Sequence, residues 1–176
     1  GFDDLRRFCQ GKDARIPIYG LPETIDHLKA AFGYAFDTSN WYPVYVKPEV
    51  HLVDGSFELG NVRLTPLDVT HGKVRTIGYL LETANYRVAY VPDVKTFTDE
   101  SFALLNDLNC LILDATVHRQ LPTHLNVAEA IAISQSLQPR ETWFTHMSHE
   151  IDHESDEAKL PNEMKFAYDG LKLSFV

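Results

Sequence analysis

Arg87-Val88-Ala89-Tyr90-Val91-Pro92-Asp93 is a short, mostly apolar run that closes on a carboxylate. Two further runs end in the same way, Cys110-Leu111-Ile112-Leu113-Asp114 on a carboxylate and Trp143-Phe144-Thr145-His146 on an imidazole. The unbroken apolar character of Leu111-Ile112-Leu113 predicts a strand covered on both faces, and Trp143-Phe144-Thr145 a second buried strand. If the three strands share one direction, Asp93, Asp114 and His146 collect at one edge of a sheet, where α/β proteins commonly place ligands. Asp68-Val69-Thr70-His71-Gly72 stands between two predicted strands, as a loop able to carry His71 to the same edge.

Outward from these runs, Ile16-Pro17-Ile18-Tyr19 reads as a strand ended by Gly20. Ile25, Leu28 and Phe32 return to one face at helical spacing, predicting a helix over Glu23 to Phe32 with Pro22 at its start. Trp41 to Lys47, interrupted by Pro43, reads as an edge strand or a loop. His51-Leu52-Val53 and Phe57-Glu58-Leu59 flank Asp54-Gly55, the pattern of a reversal between antiparallel strands. Val62 to Leu67, Ile77 to Leu81 and Arg87 to Val91 continue it as a meander. Thr98 is placed to cap a helix reaching Asn106. Asn126-Val127-Ala128-Glu129 fits a capping box for a helix through Leu137 that stops before Pro139. Met164 to Ala167 and Leu171 to Val176 suggest a terminal hairpin around Asp169-Gly170. With no internal repeat, this mixture predicts one α/β domain over residues 1–176.

A chain of 176 residues can bury roughly 70% of its extended-state surface, so neither a metal nor a disulfide is needed merely to hold it together. Lys and Arg total 16 against 25 Asp and Glu, a net charge of -9 that repels polyanions at long range. That balance disfavours indiscriminate binding of nucleic acid or anionic membrane, but not a small phosphate ester at a local cationic site. The basic group Arg6, Arg7, Lys12 and Arg15 reads as a solvated face. Cys9 and Cys110 are the only cysteines, which excludes a disulfide scaffold and a cysteine-cluster zinc site and fits a reducing, cytoplasmic setting. Cys110 opens an apolar run and reads as a buried small hydrophobe. No stretch has the length of a membrane span, and the opening residues do not form a signal peptide. Without an initiator methionine, the chain is expected to be a piece of something longer.

Imidazole nitrogen and carboxylate oxygen suit zinc, manganese or iron, and a carboxylate can bridge two ions where a neutral imidazole cannot, which makes Asp93 the natural bridge. Each candidate also has a plain structural reading. His71 can be a satisfied loop histidine, Asp93 can end a strand, and Asp114 can orient a nearby histidine rather than bind an ion. Serine or cysteine catalysis has no comparable arrangement, since there is no Gly-x-Ser-x-Gly elbow.

Taken in order, five segments resemble the later part of a metallo-β-lactamase-fold hydrolase: Leu64-Thr65-Pro66-Leu67-Asp68-Val69-Thr70-His71-Gly72, Thr76-Ile77-Gly78-Tyr79-Leu80-Leu81-Glu82-Thr83, Arg87 to Asp93, Leu113-Asp114, and Phe144-Thr145-His146-Met147-Ser148-His149. The sequence is most similar to the cyclic-phosphate branch near phosphoribosyl 1,2-cyclic phosphate phosphodiesterase, with ribonuclease Z more distant. The resemblance implies an αββα sandwich, here incomplete and lacking its N-terminal strands. It implies two divalent ions, Zn or Mn, with His71 on one, Asp93 bridging and His146 on the other. It assigns His124 to the scissile phosphate or the departing oxygen.

The family's His-x-His-x-Asp-His motif is absent, and Gly1-Phe2-Asp3-Asp4-Leu5 resembles the helix that follows it. The ligand set is therefore expected to be completed by an upstream segment, with donors from solvent or a partner as the alternative, and the fragment by itself to be inactive and poorly metallated. His27, His51, His118 and His153 form no replacement motif. The expected partner is a small, cyclic or linear phosphodiester, the assembly a homodimer, and no membrane. A ribonuclease Z-like endonuclease and a noncatalytic metal-binding relative stand as the two rival readings.

Overall fold

The computed structural model describes residues 1–11, 13–40, 42 and 44–175, and two compact units divide it, Gly1–Gly55 and Ser56–Val176.

The first unit opens with a 3-10 helix, Phe2–Phe8, followed by strand β1 (Ile16–Gly20), helices α1 (Pro22–Ala31) and α2 (Gly33–Phe36), and strand β2 (Pro48–Leu52). Pro22 stands in the first turn of α1, where its missing N–H costs no helical bond. β1 and β2 pair in parallel, Ile16 opposite Pro48 and Gly20 opposite Leu52. A parallel pair needs a crossover, and α1 provides it. This corrects the reversal expected at Asp54-Gly55: β2 does not pair with the strand that follows it. Cys9, Ala35 and Val46 form a small core with Phe2, Leu5, Ile16, Phe32 and Phe36 packed on it. Lys47 is buried against that core, its Nζ donating to the Gly11 carbonyl at 2.9 Å. Residues 44–47 form a turn and loop rather than a strand, while Trp41 and Pro43 lie outside the described residues. Arg6, Arg7 and Arg15 are exposed, as a solvated face requires, and Lys12 lies outside the described residues.

The second unit contains β3 (Phe57–Leu59), β4 (Val62–His71), β5 (Val74–Glu82), β6 (Arg87–Val91), β7 (Thr96–Phe97), α3 (Asp99–Ala103), β8 (Cys110–Asp114), α4 (Val127–Leu137), β9 (Glu141–Thr145), α5 (His153–Glu157) and β10 (Met164–Phe166). They build one mixed sheet in the order β10-β9-β8-β6-β5-β4-β3, with β7 pairing on β4. β3 to β6 are antiparallel neighbours, whereas β6, β8, β9 and β10 run parallel. The shared direction on which the sheet-edge reading depended is therefore present. β4 is longer than expected and ends on His71, so Asp68 to Thr70 belong to the strand and not to a loop. Pro66 falls between the stretch of β4 paired by β3, which ends at Leu64, and the stretch paired by β7, which begins at Val69. A residue without an N–H is tolerated at such an edge.

One face of this sheet carries the core. Leu67, Leu80, Ala89, Val91, Leu111, Leu113 and Phe144 are all nearly inaccessible, with Val127 and Ala130 of α4 over them. The capping box of α4 is complete: Asn126 accepts from the Glu129 amide and Glu129 from the Asn126 amide. Thr98 caps α3 as expected, although that helix ends at Ala103. The other face is also apolar but partly bare. Val62, Leu64, Tyr79, Leu81, Val88, Tyr90 and Ile112 line a groove of about 820 Å³ that Leu173 and Phe175 also border. Leu171 to Phe175 form no strand, and β10 pairs in parallel with β9, so the expected terminal hairpin is not made; Val176 lies outside the described residues. No helix among the described residues is long and apolar enough to cross a membrane.

Candidate metal centre

Asp93 follows β6, Asp114 ends β8 and His146 follows β9, so three parallel strands deliver them to one edge of the second unit. Backbone hydrogen bonds then stitch the loops together. The Lys95 amide donates to the Thr70 carbonyl at 2.7 Å, which ties the Asp93 loop to the end of β4. The Leu125 amide donates to Val94 at 2.9 Å, and the Thr116 amide to Leu125 at 3.1 Å. The Ala115 amide donates to Thr145 and the Ser148 amide to Thr116, which joins the His146 loop to the same frame. Loop amides that find carbonyls in neighbouring loops have no need of water, and the side chains they carry are held in place.

Within that frame one nitrogen or oxygen each of His71, Asp93 and His124 lie within 4.8 Å of one another, which gives this cluster the capacity to hold a metal ion. His146 joins from the solvent side, its Nε2 lying 3.4 Å from Asp93 Oδ1 and its ring 4.8 Å from that of His124. The structure therefore brings together all four residues picked out from the sequence. His124 stands closer to His71 and Asp93 than the division into three ligands and one acid implied. His149 is exposed, and no further cluster of metal-ligand type occurs among the described residues.

His146 takes φ +62°, a left-handed conformation that costs an L residue roughly 1 kcal/mol and turns the chain sharply after β9. Strain of this kind is retained where the surrounding structure fixes a functional side chain. Nothing in the residue types announces it, since the position is not a glycine.

The environment of His124 is the most determined. Its Nδ1 lies 2.8 Å from Asp114 Oδ2, and Asp114 is fully buried. The Val94 amide donates to the same oxygen at 3.1 Å, and the Thr116 hydroxyl to Oδ1 at 2.7 Å. A carboxylate can only accept, so His124 carries a proton on Nδ1 and its Nε2 faces outward. That nitrogen lies 2.9 Å from His71 Nε2, a distance at which the two rings can share one proton. A neutral His124 accepts it from His71, and a protonated His124 donates it.

Gly72 makes the approach of His71 to the His124 loop feasible. It is the first residue of the two-residue turn between β4 and β5 and has φ +64°, a position that favours glycine. A β-carbon there would lie 2.8 Å from Thr123 Cγ2, immediately before His124. Gly72→Ala is expected to destabilise the fold by about 1–2 kcal/mol, mostly through the left-handed backbone, and to weaken metal uptake by displacing Thr123. Urea unfolding together with Zn²⁺ titration checks both; full retention of metal affinity would show that the Thr123 contact does not position the site.

The cysteines offer no nucleophile. Both are free and buried, and burial, followed by the Glu141 charge, pushes the Cys110 thiol up to about 12.

Residues 1–147 match the family described as Beta-lactamase superfamily domain. The chain is 33% identical to a diphosphatase from the PhnP family whose crystal structure superposes with a TM-score of 0.88, over 99% of this chain and 65% of that one. Human tRNase Z, short form, superposes with a TM-score of 0.67 at 15% identity, covering 93% of this chain and 68% of its own, a likeness of fold alone. An octanoyltransferase of Porphyromonas gingivalis (strain ATCC BAA-308 / W83) is 25% identical over 98% of this chain, which spans only 34% of that protein. The α/β sandwich fold, a mixed sheet flanked by helices, is common to this chain and its solved relatives.

Proposed function

This chain belongs to the beta-lactamase superfamily domain family, and on that premise we propose that it is the greater part of a metal-dependent hydrolase that cleaves a small phosphodiester. The observation that carries the reading is the junction of His71, Asp93, His124 and His146 at one sheet edge, with His124 backed by the buried Asp114. Imidazole and carboxylate donors of this kind fit Zn²⁺ or Mn²⁺. His71, Asp93 and His146 would hold the cations, with Asp93 as the group shared between two. When bound, such ions supply positive charge to the phosphate oxygens and lower the pKa of water.

The chain's own part is to position and to move a proton. His124, fixed through Nδ1 by Asp114, presents Nε2 toward the same space as His71 and Asp93. When protonated it can donate from Nε2 to a phosphate oxygen or to the departing alkoxide. The left-handed turn at His146 keeps that imidazole beside Asp93.

A phosphorus-centred reaction gains support from the diphosphatase, at 33% identity. Octanoyl transfer gains none from the residues present, because a protonated, buried Cys110 is a poor acyl acceptor. Two ions need more donors than these residues offer, and we assign the remainder to a His-x-His-x-Asp-His segment elsewhere in the whole protein, whose strands would also cover the bare apolar sheet face. Residues 1–176 would belong to that one domain, in a cytoplasmic, homodimeric protein.

Assay of the protein loaded with Zn²⁺ or Mn²⁺ against cyclic and linear small diesters and a folded RNA tests the reading. Turnover of a small diester that a chelator abolishes is the expected result. Cleavage of RNA alone would favour a ribonuclease, and metal uptake with no turnover on any substrate would favour a binding protein.

A further inference from the structure

Lys95 and Glu129 lie outside the four-residue cluster, yet they touch the segments that carry His71 and His124. The Lys95 ammonium donates to both oxygens of Glu129 at 2.9 Å each and to the carbonyl of His124 at 3.2 Å. Its own amide holds the Thr70 carbonyl, next to His71, and it follows Asp93 by two positions. Glu129 in turn accepts the Asn126 amide at 2.9 Å and sits in the first turn of α4. One ammonium thus joins the β6–β7 loop to the segment that carries His124 and to the helix after it. The side chains of Lys95 and Glu129 are only 23% and 32% exposed, so the pair is less screened than a surface ion pair. Burial opposes ionisation of Glu129, but the Asn126 amide and the Lys95 ammonium together hold its carboxyl below the usual range.

We infer that Lys95 is a positioning residue: through the His124 carbonyl and the Glu129 carboxylate it fixes the His124 backbone so that the ring meets Asp114 on one side and faces His71 on the other. The inference deepens the hydrolase reading and rests on it for its kinetic consequence, but not for its structural one. Asp114 alone fixes one atom of the ring. The carbonyl bond fixes the main chain, so that ring rotation cannot be traded against loop movement. A misplacement of about 1 Å in a reacting group can cost on the order of 100-fold in rate.

The primary test uses the metal-free chain and needs no substrate. Exchange with solvent of the His124 Nδ1 proton, held by Asp114, is followed by NMR in the wild type and in Lys95→Met, Lys95→Arg and Glu129→Gln. Lys95→Met is expected to accelerate exchange by about tenfold or more, the equivalent of one charge-assisted hydrogen bond. Lys95→Arg, which retains donors for both partners, is expected to restore slow exchange. Glu129→Gln keeps the capping box and serves if Lys95→Met fails to fold; it is expected to accelerate exchange to a smaller extent. Unchanged exchange in Lys95→Met, or in Glu129→Gln where that variant stands in, would overturn the inference. If the wild type turns over a diester, Lys95→Met should also lower kcat with KM and metal content retained. If no diester is turned over, the hydrolase reading fails while the exchange result still decides the role of Lys95.

Discussion

Asp114→Ala is expected to lower stability by about 3–5 kcal/mol, a large part of the roughly 5–15 kcal/mol that holds a domain together. Three donors converge on this carboxylate, from Val94, Thr116 and His124, and the residue has no accessible surface. The Thr116 hydroxyl can rotate to another acceptor and the His124 ring can turn toward solvent. The buried Val94 amide can do neither, and an orphaned buried donor costs about 1–3 kcal/mol by itself. Replacing a buried charge with an apolar group is sometimes neutral, because desolvation of the charge is relieved. Here the relief is offset, since the donors that made the charge tolerable remain behind. Asp114→Asn should fall between the two, as an amide oxygen still accepts but its NH₂ meets a donor. Urea unfolding at constant m-value measures both losses. A loss below about 1 kcal/mol for the alanine variant would mean that the three bonds do not hold this edge together.

That junction also shows what the sequence could and could not reveal. Asp93, Asp114 and His146 were legible because each directly follows a dense apolar run, and parallel strands carry such termini to one edge. The role of Asp114 behind a histidine was legible as a type of arrangement. The identity of that histidine was not, because His124 lies in a loop with no periodicity, and its place came from the family resemblance. The Lys95–Glu129 pair was invisible: Glu129 announced itself only through the capping box, and nothing local links it to a lysine in another loop. The wrong pairing around Asp54-Gly55 has the same origin. Short apolar segments around a turn signal a change of direction, but the choice of partner strand is made by distant contacts, and β2 found β1 across a helix. At the C-terminal end Leu171, Leu173 and Phe175 alternate like a strand without pairing as one, and two of them border the bare apolar face of the sheet instead. Hydrophobic spacing records which side chains are drawn out of water, and only the neighbouring elements determine where they go.

His124→Ala is expected to reduce diester turnover by about 10²–10⁴-fold, the range for loss of a positioned general acid, while the protein retains its metal. The retention of metal is the decisive half. His124 lies close enough to His71 and Asp93 to serve as a ligand itself, and geometry alone allows both roles. A carboxylate on Nδ1 orients a metal-binding imidazole as well as a proton donor, so metal content and leaving-group dependence are what separate the two roles. If His124 were a ligand, alanine should lower metal content and turnover together, and added Zn²⁺ should restore much of the rate. If it is the acid, the deficit should depend on the leaving group. A diester that releases a weakly basic phenolate needs little protonation and should be cleaved by the variant almost as fast as by the wild type, whereas one that releases a basic sugar alkoxide should show the full loss. Comparing two such diesters at matched metal occupancy separates the roles, and equal losses on both, with metal retained, would remove His124 from proton transfer.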